Sequence, residues 1–146
     1  MSVVVFDVDG TIADNSHRQH HLMGEKKDWK SYNATMADDG LIEDVSQLLV
    51  TMSMTHEVIL CTGREEVFRS VTWTWLEKHR VGKYIQDLYM RPEKDYRSDA
   101  IVKVELLNKI IKEYGKPKFW FDDRQQVVDA IRAEGVRVLQ VAPGDF

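Results

Sequence analysis

The sequence predicts an α/β domain in which helices cover both faces of a doubly wound, parallel, five-stranded sheet. Three observations point there. Short apolar runs of strand length alternate along the chain with longer stretches in helical spacing. Those runs are hydrophobic without a polar face, as strands buried on both sides are. The polar residues best suited to chemistry stand directly after the runs, where open parallel sheets bind their ligands.

The elements follow in order. The apolar run beginning VVVF at Val3 is the first strand, and it runs straight into Asp7 and Asp9. From Asp14 to Asp39 the chain is polar, with His17, His20, His21, Trp29 and Tyr32, and reads as one or two helices with loops. From Leu41 to about Thr55, Ile42, Val45, Leu48, Leu49 and Met52 form one helical stripe. Glu57 to Cys61 is a second buried strand, followed by a turn at Thr62-Gly63-Arg64 and a helix from Glu65 to His79. Asp87 to Met90 is a short third strand. After polar Arg91 to Ser98, a helix runs from about Asp99 to Tyr114, stopped by Gly115 and Pro117. Lys118 to Phe121 is the fourth strand and ends at Asp122-Asp123. A helix to Glu134, closed by Gly135, leads to a fifth strand at Val136–Val141. No repeat, low-complexity tract or linker interrupts this order. Residues 1–146 read as a single Rossmann-like domain without a large cap, and 14–40 as a small helical insertion or minimal cap.

Composition narrows the partners. Hydrophobic content of 43% and charged content of 30% are those of an ordinary globular protein. A net charge of −4 gives no broad attraction to nucleic acid, so any phosphate-bearing partner must be held by a few placed cations. Cys61 is the only cysteine, which excludes an internal disulfide and suits a reducing compartment. No apolar run approaches the roughly 20 residues of a bilayer span, and Met1 leads into the first strand without a signal sequence. A cytoplasmic location without membrane contact is the expectation.

Asp7 and Asp9 stand two positions apart at a strand end, where unscreened carboxylates repel. A calcium loop starting at Asp7 would need glycine and glutamate where Ile12 and Arg18 stand, so that reading fails. A simpler alternative is that Asp9 caps the following turn. Asp122 and Asp123 after the fourth strand add two more carboxylates at the same sheet edge, a donor set for a hard divalent cation such as Mg2+. Thr62 and Arg64, around Gly63, offer a hydroxyl and a guanidinium that suit a phosphate. A helix N-terminus beyond that turn would add oriented N–H groups.

FDVDGT, CTGR, the lysine of SDAIVKVE and FDDR, in that order, resemble the four signature motifs of the haloacid dehalogenase superfamily of phosphatases. The resemblance implies that Asp7 is a nucleophile forming an aspartyl phosphate and that Asp9 is the acid and base. It implies phosphoryl contacts from Thr62 and Lys103, with Thr11, Gly63 and Arg64 in the substrate-binding set. It implies Mg2+ bound by Asp7, Asp122 and the main-chain carbonyl of Asp9, with Asp123 supporting. A closer resemblance is to the 3′-phosphatase domain of bacteriophage polynucleotide kinase/phosphatase. Arg18, eleven residues after Asp7, stands where that family has a substrate-phosphate arginine, and the ending FDDRQQVVDAIRAEGVRVLQVAPGDF is similar almost throughout. Asp99, one helical turn before Lys103, can orient and ionise the lysine, or can cap its own helix.

The expected activity is therefore Mg2+-dependent removal of 3′-phosphates from nucleic acid ends, that is, a polynucleotide 3′-phosphatase. A small-molecule nucleotide phosphatase and a non-catalytic phosphate-binding module are the alternatives. No G-x-x-x-x-G-K-S/T occurs, so the kinase half is absent, and kinase or ligase activity, where needed, is expected from a separate protein. His17 and His21 are one helical turn apart but have no further zinc ligands nearby, so a solvated face or site rim is expected. Cys61 is expected to be an inert buried hydrophobe. Trp73 and Trp75 lie about 200° apart on one helix. Trp75 is expected inward with Val67, Phe68 and Val71, and Trp73 outward, free to stack a base or meet a subunit.

Overall fold

A computed structural model describes residues 1–146. The elements are β1 (Val3–Phe6), β2 (Ala13–Asp14), α1 (Trp29–Ala34), β3 (Gly40–Leu41), α2 (Glu43–Ser53), β4 (Glu57–Glu65), α3 (Arg69–Lys78), β5 (Ile85–Arg91), α4 (Asp99–Tyr114), β6 (Phe119–Asp122), α5 (Gln125–Ala133) and β7 (Val138–Gln140). Short 3-10 turns occupy Ser16–Leu22, Met36–Asp38, Glu66–Phe68 and Gly82–Tyr84. The main sheet has the order β5-β4-β1-β6-β7 and every pairing in it is parallel. The chain winds outward from β1 through β4 to β5, then returns to β6 on the other side of β1. The switch point therefore lies at the end of β1, beside β6, and that is where a ligand site belongs.

Alternation along the strands builds two cores. Val3, Val5, Ile59, Cys61 and Trp120 face α4 and α5, meeting Leu106, Leu107, Val127 and Ile131. Val4, Phe6, Leu60, Leu88 and Phe121 face the other way, against Leu49 of α2 and Trp75 and Leu76 of α3. Each fully buried side chain of this size contributes about 1.5–3 kcal/mol, so the central strand is fastened from both faces. Cys61 is buried in β4, and burial pushes its thiol well up from the usual range, as expected of an inert side chain.

Two elements differ from the sequence reading. β4 does not turn at Thr62-Gly63-Arg64 but continues to Glu65, with a register shift between Thr62↔Met90 and Glu65↔Arg91. The strand carries Arg64 forward over the site, and α3 begins only at Arg69. No helix N-terminus follows the segment directly. The 3-10 turn at Glu66–Phe68 also breaks the helical phase, because three residues per turn replace 3.6. Val67, expected inward, is exposed, and Trp73, expected outward, is half-buried against the core around Trp75. Leu48 likewise lies outside the α2 stripe and is exposed.

The insertion has a base of its own. β2 and β3 pair antiparallel, Ala13 with Leu41 and Asp14 with Gly40, so the chain between them leaves and rejoins the domain at one point. It folds as the 3-10 turn at Ser16–Leu22, α1 and the turn at Met36–Asp38. No helix of the protein is long and apolar enough to cross a membrane.

Candidate active site

The register places the motifs together. Phe6 pairs with Leu60 on one side and Phe121 on the other, so Asp7, Thr62 and Asp122 leave three neighbouring strands at similar heights. The Asp7 N–H donates to the Phe121 carbonyl at 2.9 Å, which anchors the end of β1 to β6. Asp7 is buried; its Oδ1 accepts from Lys103 Nζ at 2.6 Å and its Oδ2 from Thr11 Oγ1 at 3.0 Å. Lys103 also donates to Asp122 Oδ2 at 2.9 Å, and Asp122 is held further by Trp120 Nε1 at 3.2 Å and the Arg124 N–H at 3.1 Å. Burial works against the charge on Lys103, but Asp122, Asp7 and Asp99 outweigh it and hold the ammonium well above its usual range. Burial and then Asp122 raise the Asp7 carboxyl, against the pull of Lys103.

Gly10 belongs to this geometry. Its φ is +81°, and a Cβ there would fall 2.1 Å from Asp123 Oδ2. Only glycine lets the loop after β1 turn this close to the Asp123 carboxylate, just beyond β6.

Asp9 points elsewhere. Its carboxylate accepts from Arg64 Nε at 3.0 Å and NH2 at 2.8 Å, and from Arg18 NH2 at 2.7 Å. It accepts side-chain donors, so the turn-capping alternative does not describe it. Burial opposes its ionisation, yet Arg64 first and Arg18 next lower its pKa below the ordinary carboxylate value.

Arg18 is fully buried, and its donors are used internally. It reaches Asp9, both oxygens of Asp39 at 2.7 Å and the Tyr32 carbonyl at 3.2 Å. It therefore meets the site through Asp9. Asp39 was not distinguished by the sequence, where it stands beside the chemically identical Asp38. Its buried carboxylate also accepts from Arg64 NH2 at 3.2 Å and meets His17 Nε2 at 2.8 Å. Its carbonyl accepts from Trp75 Nε1 at 2.7 Å. The end of the insertion is thus fastened to both arginines that hold Asp9. His20 and His21 pack ring on ring, with centroids 3.9 Å apart, and the histidines join no cluster of metal-binding groups.

Asp99 lies with Oδ2 3.8 Å from Lys103 Nζ, and it also meets Arg91 NH2 at 3.2 Å and Arg124 NH1 at 3.6 Å. Ser98 is the N-cap of α4, accepting from the Ile101 N–H, so Asp99 is not needed there. Arg91, unremarked in the sequence, ties this corner together by donating to the Gly63 carbonyl at 2.8 Å. Gly63 has no room for a side chain, since a Cβ would lie 2.2 Å from Asp99 Oδ1. Thr62 is buried, and its Oγ1 accepts from the Arg64 N–H at 3.1 Å.

Carboxylate oxygens of Asp7, Asp122 and Asp123 lie within 4.8 Å of one another. Burial first and Asp122 second push the Asp123 carboxyl up to about 6. Three buried oxygen donors with one ammonium among them form an electronegative pocket, and that donor set fits a hard divalent cation.

These are the strand-end carboxylates, lysine and threonine expected of one phosphatase architecture, and comparison with known proteins places the chain within it. The profile of the polynucleotide kinase PNKP phosphatase domain matches residues 1–146. The chain belongs to that family. A chain in a solved Pnkp1/Rnl/Hen1 complex superimposes with a TM-score of 0.83 at 34% identity, covering 100% of this chain and 47% of that one. A protein of Autographa californica nuclear polyhedrosis virus, described as a bifunctional polynucleotide kinase/RNA ligase, is 28% identical over 127 residues, 86% of this chain and 17% of the viral protein. The chain thus spans under half of one relative and about a sixth of the other. A hydrolase from Streptococcus pneumoniae TIGR4 shares the fold at 16% identity, with a TM-score of 0.66 over 97% of this chain and 93% of its own. PNKP phosphatase domains are phosphatases of the haloacid dehalogenase superfamily, as the motif order suggests.

Proposed function

We propose that the domain removes terminal 3′-phosphates from nucleic acid ends by way of an aspartyl phosphate on Asp7. The observation that carries this reading is the separation of two carboxylates along one cleft. Asp7 is directed by Lys103 and Thr11, and Asp9 is held apart by Arg18 and Arg64. One carboxylate is set for attack and the other for proton transfer.

In the first half-reaction an Asp7 oxygen attacks phosphorus, the P–O3′ bond breaks, and Asp9 gives its proton to the departing O3′. In the second, Asp9 takes a proton from water, the water oxygen attacks phosphorus, and Asp7 is released with phosphate. The arginine pairing suits the base role directly, since it favours the ionised form. A phosphate dianion entering beside Arg64 competes with Asp9 for that guanidinium, which lets Asp9 hold a proton for the acid role. Lys103 is placed to screen attack by one anion on another. A divalent cation held by Asp7, Asp122, Asp123 and the main-chain carbonyl of Asp9 would neutralise further charge on the transferring group. Asp99 and Arg91 position Lys103 and the Gly63 segment.

The wider setting is inferred from the relatives. One stands in a complex with Rnl and Hen1 and another is described as a kinase/ligase, and we place this phosphatase beside kinase and ligase activities in nucleic acid repair. The test is a turnover panel of 3′-phosphorylated oligonucleotides, 5′-phosphorylated oligonucleotides and free mononucleotides with Mg2+. The 3′-phosphorylated strands should show the highest kcat/KM. Preference for free mononucleotides would make this a small-molecule nucleotide phosphatase, and turnover of none would make it a binding module.

A further inference from the structure

The cleft over Asp7 and Asp9 has a volume of about 460 Å3, within the range that takes a nucleoside together with its phosphate. Its inner end is the carboxylate cluster. Its outer wall comes from the insertion, where Met23, Lys27 and Trp29 line it.

Trp29 is the first residue of α1 and is 51% exposed, yet its ring is braced. It packs edge-to-face on Tyr32, with centroids 5.6 Å apart at an interplanar angle of 87°. Tyr32 is fixed in turn by the Arg18 guanidinium 4.2 Å from its ring centroid and by Asn15 Nδ2 donating to its hydroxyl at 2.7 Å. Asp28 caps the helix by accepting from the Ser31 N–H at 3.1 Å. The result is a large aromatic side chain that lines the cleft and is braced, through Tyr32, by the arginine that also holds Asp9.

Lys27 lies over one face of the ring, with Nζ 5.9 Å from the Trp29 ring centroid, and it pairs with no carboxylate. Arg97 and Arg124, also in the lining, are spent on Asp95 and Glu105 and on Asp99 respectively. Lys27 is the lining cation left for an incoming charge.

Resting on the phosphatase reading above, we propose that Trp29 is a stacking platform for the terminal base of a 3′-phosphorylated strand, with Lys27 meeting a backbone phosphate beside it. Every base has a π-face, so this recognition tolerates any sequence. It requires a terminal base free of its own duplex stack, so unpaired or frayed 3′ ends are the preferred substrates.

The experiment compares two single-stranded oligonucleotide 3′-phosphates that differ only in whether the terminal nucleotide carries a base or is abasic. The wild type should prefer the base-bearing strand by roughly 5- to 150-fold in kcat/KM, the range that stacking on an aromatic side chain supplies. Trp29→Ala should bring that ratio close to one, and Trp29→Phe should restore most of it. The abasic strand in the same variant is the internal reference, so a general loss of folded enzyme does not alter the ratio. For Lys27→Gln, the slope of log(1/KM) against log salt should shrink by about 0.7, one phosphate contact on a single strand. A wild-type ratio near one, or a ratio untouched by Trp29→Ala, overturns the platform while leaving the phosphatase reading intact. An unchanged salt slope overturns the role of Lys27. Failure to turn over any 3′-phosphorylated strand, with or without a base, overturns the substrate reading itself.

Discussion

Asp39→Asn is the sharpest perturbation of the polar network, because it removes one charge and almost no volume. The wild-type carboxylate takes Arg18 Nε and His17 Nε2 on Oδ1 and Arg18 NH2 and Arg64 NH2 on Oδ2, all in a fully buried position. An asparagine keeps one acceptor oxygen and turns an amide N–H2 toward a guanidinium. Two charge-assisted hydrogen bonds are lost, and the two arginines share only Asp9 as their nearby anion. At about 1.5–3 kcal/mol for each such bond, the loss is roughly 3–6 kcal/mol. In a domain of this size that lowers Tm by about 6–24 °C. Thermal unfolding followed by circular dichroism reads this directly. Below the variant's unfolding range, kcat should fall about tenfold or more, because the arginines orienting Asp9 have lost their fixed point. In an Asp9→Asn background the same change should cost little further in kcat. A Tm within about 2 °C of the wild type, or equal kcat losses with and without Asp9, would refute the claim that Asp39 secures the acid and base.

Three further outcomes follow from the same geometry. Asp99→Asn should lower kcat, yet add little to Lys103→Ala in the double variant, because Asp99 acts through the lysine; fully additive losses would give it a separate role. Gly63→Ala should cut kcat/KM at least about tenfold, since the new Cβ displaces Asp99 Oδ1, 2.2 Å away; wild-type kinetics would contradict that crowding. Asp123 titrates near 6 in the folded chain, raised by burial and by Asp122. A carboxyl raised on folding costs stability as pH rises from about 4 through 6, so the charged cluster is most in need of a cation above that window. Mg2+ should therefore raise Tm more at pH 7.5 than at pH 5, and an equal increment at both pH values would count against the carboxylate site.

The sheet was legible because its strands are short apolar runs ending in polar signals, and α4 was legible from its start at Asp99 to its stop at Gly115. Asp7, Lys103 and Asp122 converge as their positions at strand ends and on one helix face imply, while Asp9 is turned toward Arg18 and Arg64. Long-range pairing was not legible. Asp38 and Asp39 carry the same chemistry in sequence, and only the β2–β3 closure decides which one is buried against two arginines. Arg18 was expected, from the resemblance, as a substrate-phosphate arginine, but its buried ion pairs with Asp9 and Asp39 depend on that same closure. Thr62-Gly63-Arg64 carries a glycine that suggests a turn, while pairing with β5 keeps the segment extended across a register shift. Val67 was misplaced because helical phase was counted through residues that wind as a 3-10 turn, whereas Trp73, inside α3 itself, is large enough to reach the edge of the core from the helix flank.

The central claim is that phosphate leaves in two displacements at Asp7 rather than one by water. The stereochemical course at phosphorus tests it most directly. An oligonucleotide 3′-phosphorothioate made chiral with 16O and 18O is hydrolysed in H2 17O, and the configuration of the released thiophosphate is determined. Two in-line displacements, each inverting phosphorus, give net retention, and retention is the result predicted. Inversion would show direct attack by water and contradict the account.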